Sequence, residues 1–237
     1  MKLCIGMMYQ YDDHWLRLHV PKLAEAGLPF VFLNGNGERT EIDKFLGQYG
    51  AVFYRRFEWN FADQQNYLNE CAERMDLDAI IKLDPDELMW PEDLRYIARE
   101  IGDTYKAACL PRWNFVNDRL HVQKADGWWP DLQTRVWLLN FGVEWRGQHH
   151  ASAAASIREL GWLLHRLERP IYHYKWIAPR ESCTLSRLNY ERTQQGLAPL
   201  MGLPEDAELC AVPAGESFAQ QQPLDAWKIG ARAPFED

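Results

Sequence analysis

Short apolar runs alternate with amphipathic stretches along this chain, and the alternation is most regular up to about residue 110. Lys2 to Met8 reads as a buried strand, being apolar and too short for a helix. Asp12 and Asp13 are then placed to cap a helix in which Leu16, Val20, Leu23 and Ala24 share a face. Pro21 is expected to kink that helix and Gly27 to stop it. A second strand is predicted over Leu28 to Leu33, a loop over Asn34-Gly35-Asn36-Gly37, a helix over 39–48 and a third strand over Ala51 to Tyr54. Leu68, Cys71, Ala72 and Met75 recur at i, i+3, i+4 and i+7, which predicts a helix over Phe61 to Met75 with Asn60 as its cap. A fourth strand over Asp78 to Leu83, a helix from Pro91 to Ile101 ended by Gly102, and a fifth strand over Tyr105 to Leu110 complete the pattern. Strands and helices alternating with such short connections predict an α/β fold, a mainly parallel sheet flanked by helices.

The character changes after Pro111. Seven of the eleven tryptophans lie between Trp113 and Trp176, and the segments become shorter and more β-like: Thr134 to Leu139, Val143 to Trp145 and Ile171 to Trp176. Aromatics at this density are chiefly core, with Trp128 and Trp129 as candidates to line a pocket. Glu181 to Gln195 reads as a polar helix, and the proline-, glycine- and glutamine-containing remainder to Asp237 as an extended tail.

The chemistry concentrates where the fourth strand ends, at Asp84-Pro85-Asp86-Glu87. Pro85 fixes its own φ and pushes Asp84 into an extended conformation, so two aspartates flank a stiff corner. Ligands of open α/β sheets gather outside the carboxyl ends of the strands, where these acids project. Hard oxygen donors in that place suit Mg²⁺ or Mn²⁺ shared with a diphosphate. The same letters are compatible with ordinary turn chemistry and with acids preceding a helix, so context decides.

Composition narrows the picture. A hydrophobic fraction of 47% and a charged fraction of 25% are those of a globular protein. The net charge of −8 argues against a broad nucleic-acid footprint. No apolar window reaches bilayer length and no signal-peptide pattern follows Met1-Lys2, so a cytoplasmic location is the expectation. Five widely spaced cysteines without a Cys-x-x-Cys pair predict buried thiols rather than disulfides or zinc. Gly35-x-Gly37 has Thr40 where a dinucleotide fingerprint needs its third glycine, which excludes that reading.

The order of strand, helix, Asn-Gly-Asn-Gly loop, strand, Phe57 to Asn66 and a strand ending in Leu83-Asp84-Pro85-Asp86-Glu87 resembles the GT-A-type glycosyltransferases of family 2. Trp129 to Trp137 is similar to that family's Tyr-Pro-x-x-Gln-x-Arg-Leu-Phe segment. Trp145 to His150 resembles its Trp-x-Gly-x-x-His, and Ile171 to Tyr174 its Ile-x-His-Tyr strand. The match spans about residues 3–176, with two departures. Asn34 and Asn36 stand where the family has an acidic pair for base and ribose, and Ala151 where a glutamate usually follows the histidine.

The resemblance implies a GT-A-like (Rossmann-like) fold with a nucleotide-sugar-binding half over 1–110 and a smaller β-rich acceptor-side half over 111–180, followed by a C-terminal helix and tail over 181–237. It implies a metal-dependent, inverting transfer from a nucleoside-diphosphate sugar, UDP-linked by preference, to a hydroxyl. Asp86 and His173 are the expected ligands of Mn²⁺ or Mg²⁺. Tyr9, Asn34, Gln65, Asn66, Lys82 and Asp84 are the expected contacts of the nucleotide sugar, and Asp131 and His150 the candidates for the general base. Two rivals share the sheet: a nucleotidyltransferase, which usually carries a glycine-rich basic loop absent from Met8 to Tyr11, and a non-catalytic nucleotide-sugar-binding module. The acceptor is open among glycan, lipid and protein. Seven basic against four acidic residues between Ala151 and Arg192 keep a modified DNA base conceivable as the one nucleic-acid partner.

Overall fold

The computed structural model describes residues 1–10, 12–58, 60–116, 121–122, 131–147, 151–176 and 222–223. In chain order the elements are β1 (Leu3–Tyr9), α1 (Asp13–Ala24), β2 (Phe30–Asn34), α2 (Glu41–Leu46), β3 (Gly50–Tyr54), α3 (Phe61–Arg74), β4 (Ala79–Lys82) and β5 (Glu87–Leu88). There follow α4 (Pro91–Glu100), β6 (Ala107–Val116), β7 (His121–Val122), β8 (Asp131–Leu138), α5 (Ala154–Glu159), β9 (Leu164–Arg166), β10 (Ile171–Trp176) and β11 (Gln222–Pro223).

The sheet runs β3-β2-β1-β4-β8-β6, with the first four strands parallel and β8 antiparallel to both its neighbours. Periodicity predicted the parallel half and every helix in it to within a few residues. Asn60 caps α3 as expected, accepting from the Asp63 amide at 3.1 Å. Pro91 opens α4 and Gly102 follows it with a φ of +95°, the left-handed region that favours glycine.

Two local expectations change. The fifth strand does not stop before Pro111 but continues to Val116. Its outer edge pairs with β9 over Ala107 to Cys109 and with β10 from Arg112 onward, so Pro111 falls at the changeover, where a missing amide costs little. Val143 to Trp145 is not a strand: Asn66 brackets Trp145 through both its amide atoms, Asn69 donates to the Val143 carbonyl, and Ser156 accepts from the Glu144 amide. Side chains there replace a ladder. The predicted helix over 181–195, Trp128, Trp129 and all but two residues of the tail lie outside the described residues.

Strand alternation sorts the core onto two faces. Leu3, Ile5, Met7 and Tyr9 of β1 join the cluster that holds α1, α2 and α4 residues, whereas Cys4 packs with Leu68, Cys71 and Ala72 of α3. α3 sits close because Gly6 has no side chain: a Cβ there would lie 2.4 Å from Ile80 Cδ1 and 3.1 Å from Leu68 Cδ2. Cys4, Cys71 and Cys109 are buried free thiols, as expected. Among the described residues no helix is long and apolar enough to cross a membrane.

Candidate functional site

The acidic corner is fixed from three sides. Within it, the Glu87 amide donates to the Asp84 carbonyl at 3.0 Å, and the Asp84 amide donates to Glu87 Oε2 at 2.8 Å. From β10, the Tyr174 amide donates to the Asp86 carbonyl at 2.9 Å, and His173 is paired opposite Glu87. From α1, buried His19 donates through Nδ1 to the Pro85 carbonyl at 2.8 Å. Burial pushes the His19 imidazole down to about 4, against smaller opposing effects of that carbonyl and Asp86. The folded state therefore keeps His19 neutral where an unfolded chain protonates it, so stability present above pH 6.5 is lost as pH falls towards 4. The loss is expected to reach roughly 3 kcal/mol. Urea titrations across this range should show it in the parent chain and not in His19→Asn, which cannot protonate; equal slopes would refute it.

A ladder of charge runs away from the corner. Ile80 and Ile81 of β4 pair with Trp137 and Val136 of β8, and continuing that register sets Lys82 opposite Arg135. Two buried cations side by side need an anion, and Asp84 supplies it: one oxygen accepts from Lys82, the other from Arg135 at 3.1 Å. Burial alone would raise the Asp84 carboxyl, but Lys82 and Arg135 hold it far below the usual carboxylate range. The same Arg135 nitrogen reaches Glu87 Oε1, and Arg112 lies 3.5 Å from that oxygen. Arg112 also donates to Asp131 Oδ2 through Nε at 2.8 Å and Nη2 at 2.7 Å. Asp84 keeps about a third of its side chain exposed, whereas Glu87 is fully buried.

Asp86 and His173 come together, Oδ2 to Nε2, at 3.5 Å. Cis ligands of a hexacoordinate Mn²⁺ or Mg²⁺ stand about 3 Å apart, since each bond is about 2.1 Å, so slight inward movement fits a cation between them. Among the described residues no third His, Cys, Asp or Glu completes such a site, so the remaining positions fall to phosphate oxygens and water. The residues present thus fit a cation held jointly with a diphosphate.

The other expected residues have different surroundings. Asn34 is buried and committed: its nitrogen donates towards the Glu38 carbonyl, Thr40 and Asp43, and its oxygen accepts from the Asn36 amide. The Tyr9 hydroxyl donates to Asp43 in the same network. Both serve the loop after β2 rather than presenting side chains to a ligand. Asn66 is likewise taken up by Trp145. Gln65 is buried one helical turn from Leu68, towards the carboxyl ends of the strands, and among the described residues its Nε2 has no hydrogen-bond partner. Asp131 is corrected as a general base: burial would raise its carboxyl, but Arg112, Gln133 and Asn114 together hold it below the usual range. A carboxylate so well supplied with donors is a poor proton acceptor. His150 lies outside the described residues. Arg112, Arg135, Glu87, Asn114 and His19 were not foreseen, although Arg135 stands at the arginine of the Gln-x-Arg segment and Glu87 in the acidic run.

No family model and no curated protein sequence matches the chain. Solved structures do. The chain superposes on S. aureus TarS with a TM-score of 0.51 at 10% identity, covering 84% of this chain and 40% of that one. It superposes on 4-diphosphocytidyl-2C-methyl-D-erythritol synthase with a TM-score of 0.50 at 13% identity, covering 71% and 90%. Residues 1–349 of TarS in complex with UDP-GlcNAc align at a TM-score of 0.48 and 11% identity, over 73% and 58%. The first two likenesses establish the fold, and the chain spans about two fifths of the length of TarS.

Proposed function

We propose that the chain is a metal-dependent glycosyltransferase, moving a sugar from a nucleoside-diphosphate sugar, UDP-linked by preference, to a hydroxyl acceptor with inversion. The observation that carries this reading is the meeting of Asp86 with His173 beside an ionised Asp84 at the carboxyl end of β4. Four carboxylates (Asp84, Asp86, Glu87, Asp131) there face three basic side chains (Lys82, Arg112, Arg135), a balance that favours a divalent cation.

Bound there, Mn²⁺ or Mg²⁺ supplies Lewis-acid stabilisation of the departing diphosphate. Asp86 and His173 would hold it. Asp84, fixed by Lys82 and Arg135, would accept a hydrogen bond from a ribose hydroxyl of the donor or from a water. Gln65 offers its amide nitrogen to the donor. In the transfer, the acceptor oxygen bonds to the anomeric carbon, the bond from that carbon to the diphosphate oxygen breaks, and the acceptor proton passes to a base. His150 remains the candidate for that base.

A nucleotidyltransferase is the second reading, and the likeness to 4-diphosphocytidyl-2C-methyl-D-erythritol synthase favours it. Thermal shifts with nucleoside diphosphates, nucleoside triphosphates and nucleotide sugars, each with and without Mn²⁺, test the pair. A transferase of sugars should be stabilised by UDP or another nucleoside diphosphate only when Mn²⁺ is present, by about 2.7 kcal/mol at a hundredfold excess over Kd. Stabilisation by nucleoside triphosphates alone would replace the first reading with the second.

A further inference from the structure

The cation site of the proposed function depends on which nitrogen of His173 carries the proton, and the structure contains a device that decides it. Asp131 is an ionised carboxylate in contact with Arg112, and a carboxylate only accepts hydrogen bonds. The Asn114 atom 3.2 Å from Asp131 Oδ2 is therefore its amide nitrogen, which turns the Asn114 oxygen to the other side. That oxygen lies 2.6 Å from His173 Nδ1, and a carbonyl oxygen also only accepts. The proton of neutral His173 must then sit on Nδ1, which leaves the Nε2 lone pair directed at Asp86, 3.5 Å away.

Backbone pairing makes this arrangement rigid. Asn114 and His173 are register partners across β6 and β10, Arg112 of β6 is paired with Asp131 of β8, and His173 is paired with Glu87 beside the acidic corner. Asn114 and His173 are both buried, with 1% and 5% of their surface exposed, so water does not compete for the Nδ1 proton. Without the asparagine oxygen, nothing in this set would prefer Nδ1 to Nε2 as the protonated nitrogen, and a proton on Nε2 would bond to Asp86 and occupy the place of the cation.

We infer that Asn114, oriented by Asp131, is a positioning residue: it fixes the Nδ1–H tautomer of His173 and thereby keeps Nε2 available, with Asp86, for a divalent cation. This inference rests on the cation-binding part of the proposed function and not on the sugar-transfer part. It also gives Asp131 a task that its poor basicity allows. Outer partners of metal-binding histidines commonly alter metal affinity by about 10–100-fold when removed.

The test reads the tautomer and the cation separately. Long-range ¹H–¹⁵N correlation spectra of the metal-free, ¹⁵N-histidine-labelled full chain at alkaline pH should show His173 protonated on Nδ1. In Asn114→Leu the signal should move to the Nε2–H form, and Mn²⁺ affinity measured by electron paramagnetic resonance, without nucleotide, should fall by about tenfold or more. Asp131→Asn, which keeps the shape but lets the Asn114 amide turn over, should give a mixture of tautomers and an intermediate loss; it serves as the readout if Asn114→Leu does not fold. An Nε2–H tautomer in the parent chain, or unchanged Mn²⁺ affinity in a folded Asn114 variant, overturns the inference. Tautomer and Mn²⁺ affinity responding as expected in a chain that transfers no sugar would uphold it and remove the transferase reading instead.

Discussion

Glu87→Ala is expected to lower the stability of the folded chain by about 3–5 kcal/mol, the usual cost of removing one partner from a buried ion pair. Glu87 is fully buried, and two cationic side chains, Arg135 and Arg112, converge on its Oε1 while the Asp84 amide donates to its Oε2. Truncation leaves a buried guanidinium at 4% side-chain exposure short of its anion and an amide of the acidic corner without an acceptor. A typical domain has only about 5–15 kcal/mol in total, so the loss is a large part of the whole. In thermal denaturation it should appear as a fall of roughly 10 °C, at the 2–4 °C per kcal/mol expected for a chain of this size. Glu87→Gln keeps an acceptor for Arg135 and for the Asp84 amide and should cost visibly less. Equal melting of parent and Glu87→Ala would mean that the arginines find another anion, and that the ladder from Asp84 to Asp131 is not held by its central carboxylate.

Much of this ladder could not be read from the chain because strand order is not written in periodicity. The alternation of β1 to β4 with α1 to α4 follows from local spacing alone, and so did the place of the acidic corner at a strand end. That β8 inserts between β4 and β6 is a tertiary choice, and it alone brings Arg135 to Asp84 and Asp131 to Arg112. Asp86 and His173 are expected together as metal ligands only through the family resemblance, and β10 pairing with β5 is the tertiary contact that joins them. Asn34 shows the opposite case. A polar residue at the carboxyl end of a strand reads as a ligand contact, yet Asp43 from α2 is buried beside it and claims its amide. Thr40 and Asp43 form a capping box at the start of α2, a local sign in the chain of the carboxylate that also takes the Asn34 amide. Asn114 gave no such sign, because its meaning comes entirely from the two strands on either side of β6.

Asp86→Ala should abolish stabilisation by Mn²⁺ while leaving the chain folded. Asp86 contributes one of two protein donors to the proposed site, and a divalent cation held by few protein atoms cannot lose one of them and keep its affinity. The side chain is 16% exposed at the edge of the corner, whereas the corner itself is fixed through backbone atoms: the Asp86 carbonyl accepts from Tyr174 and the Pro85 carbonyl accepts from His19. Both bonds survive the substitution, so the metal-free melting temperature should change by less than that of Glu87→Ala. With Mn²⁺ at a hundred times its Kd for the parent chain, the parent gains about 2.7 kcal/mol and the variant should gain close to nothing. Asp84→Ala separates the two aspartates, because it removes the anion between Lys82 and Arg135 and should cost stability even without metal. If Asp86→Ala kept the full Mn²⁺-dependent gain, the cation would have to bind elsewhere, and the pairing of Asp86 with His173 would be an ordinary hydrogen bond across β5 and β10.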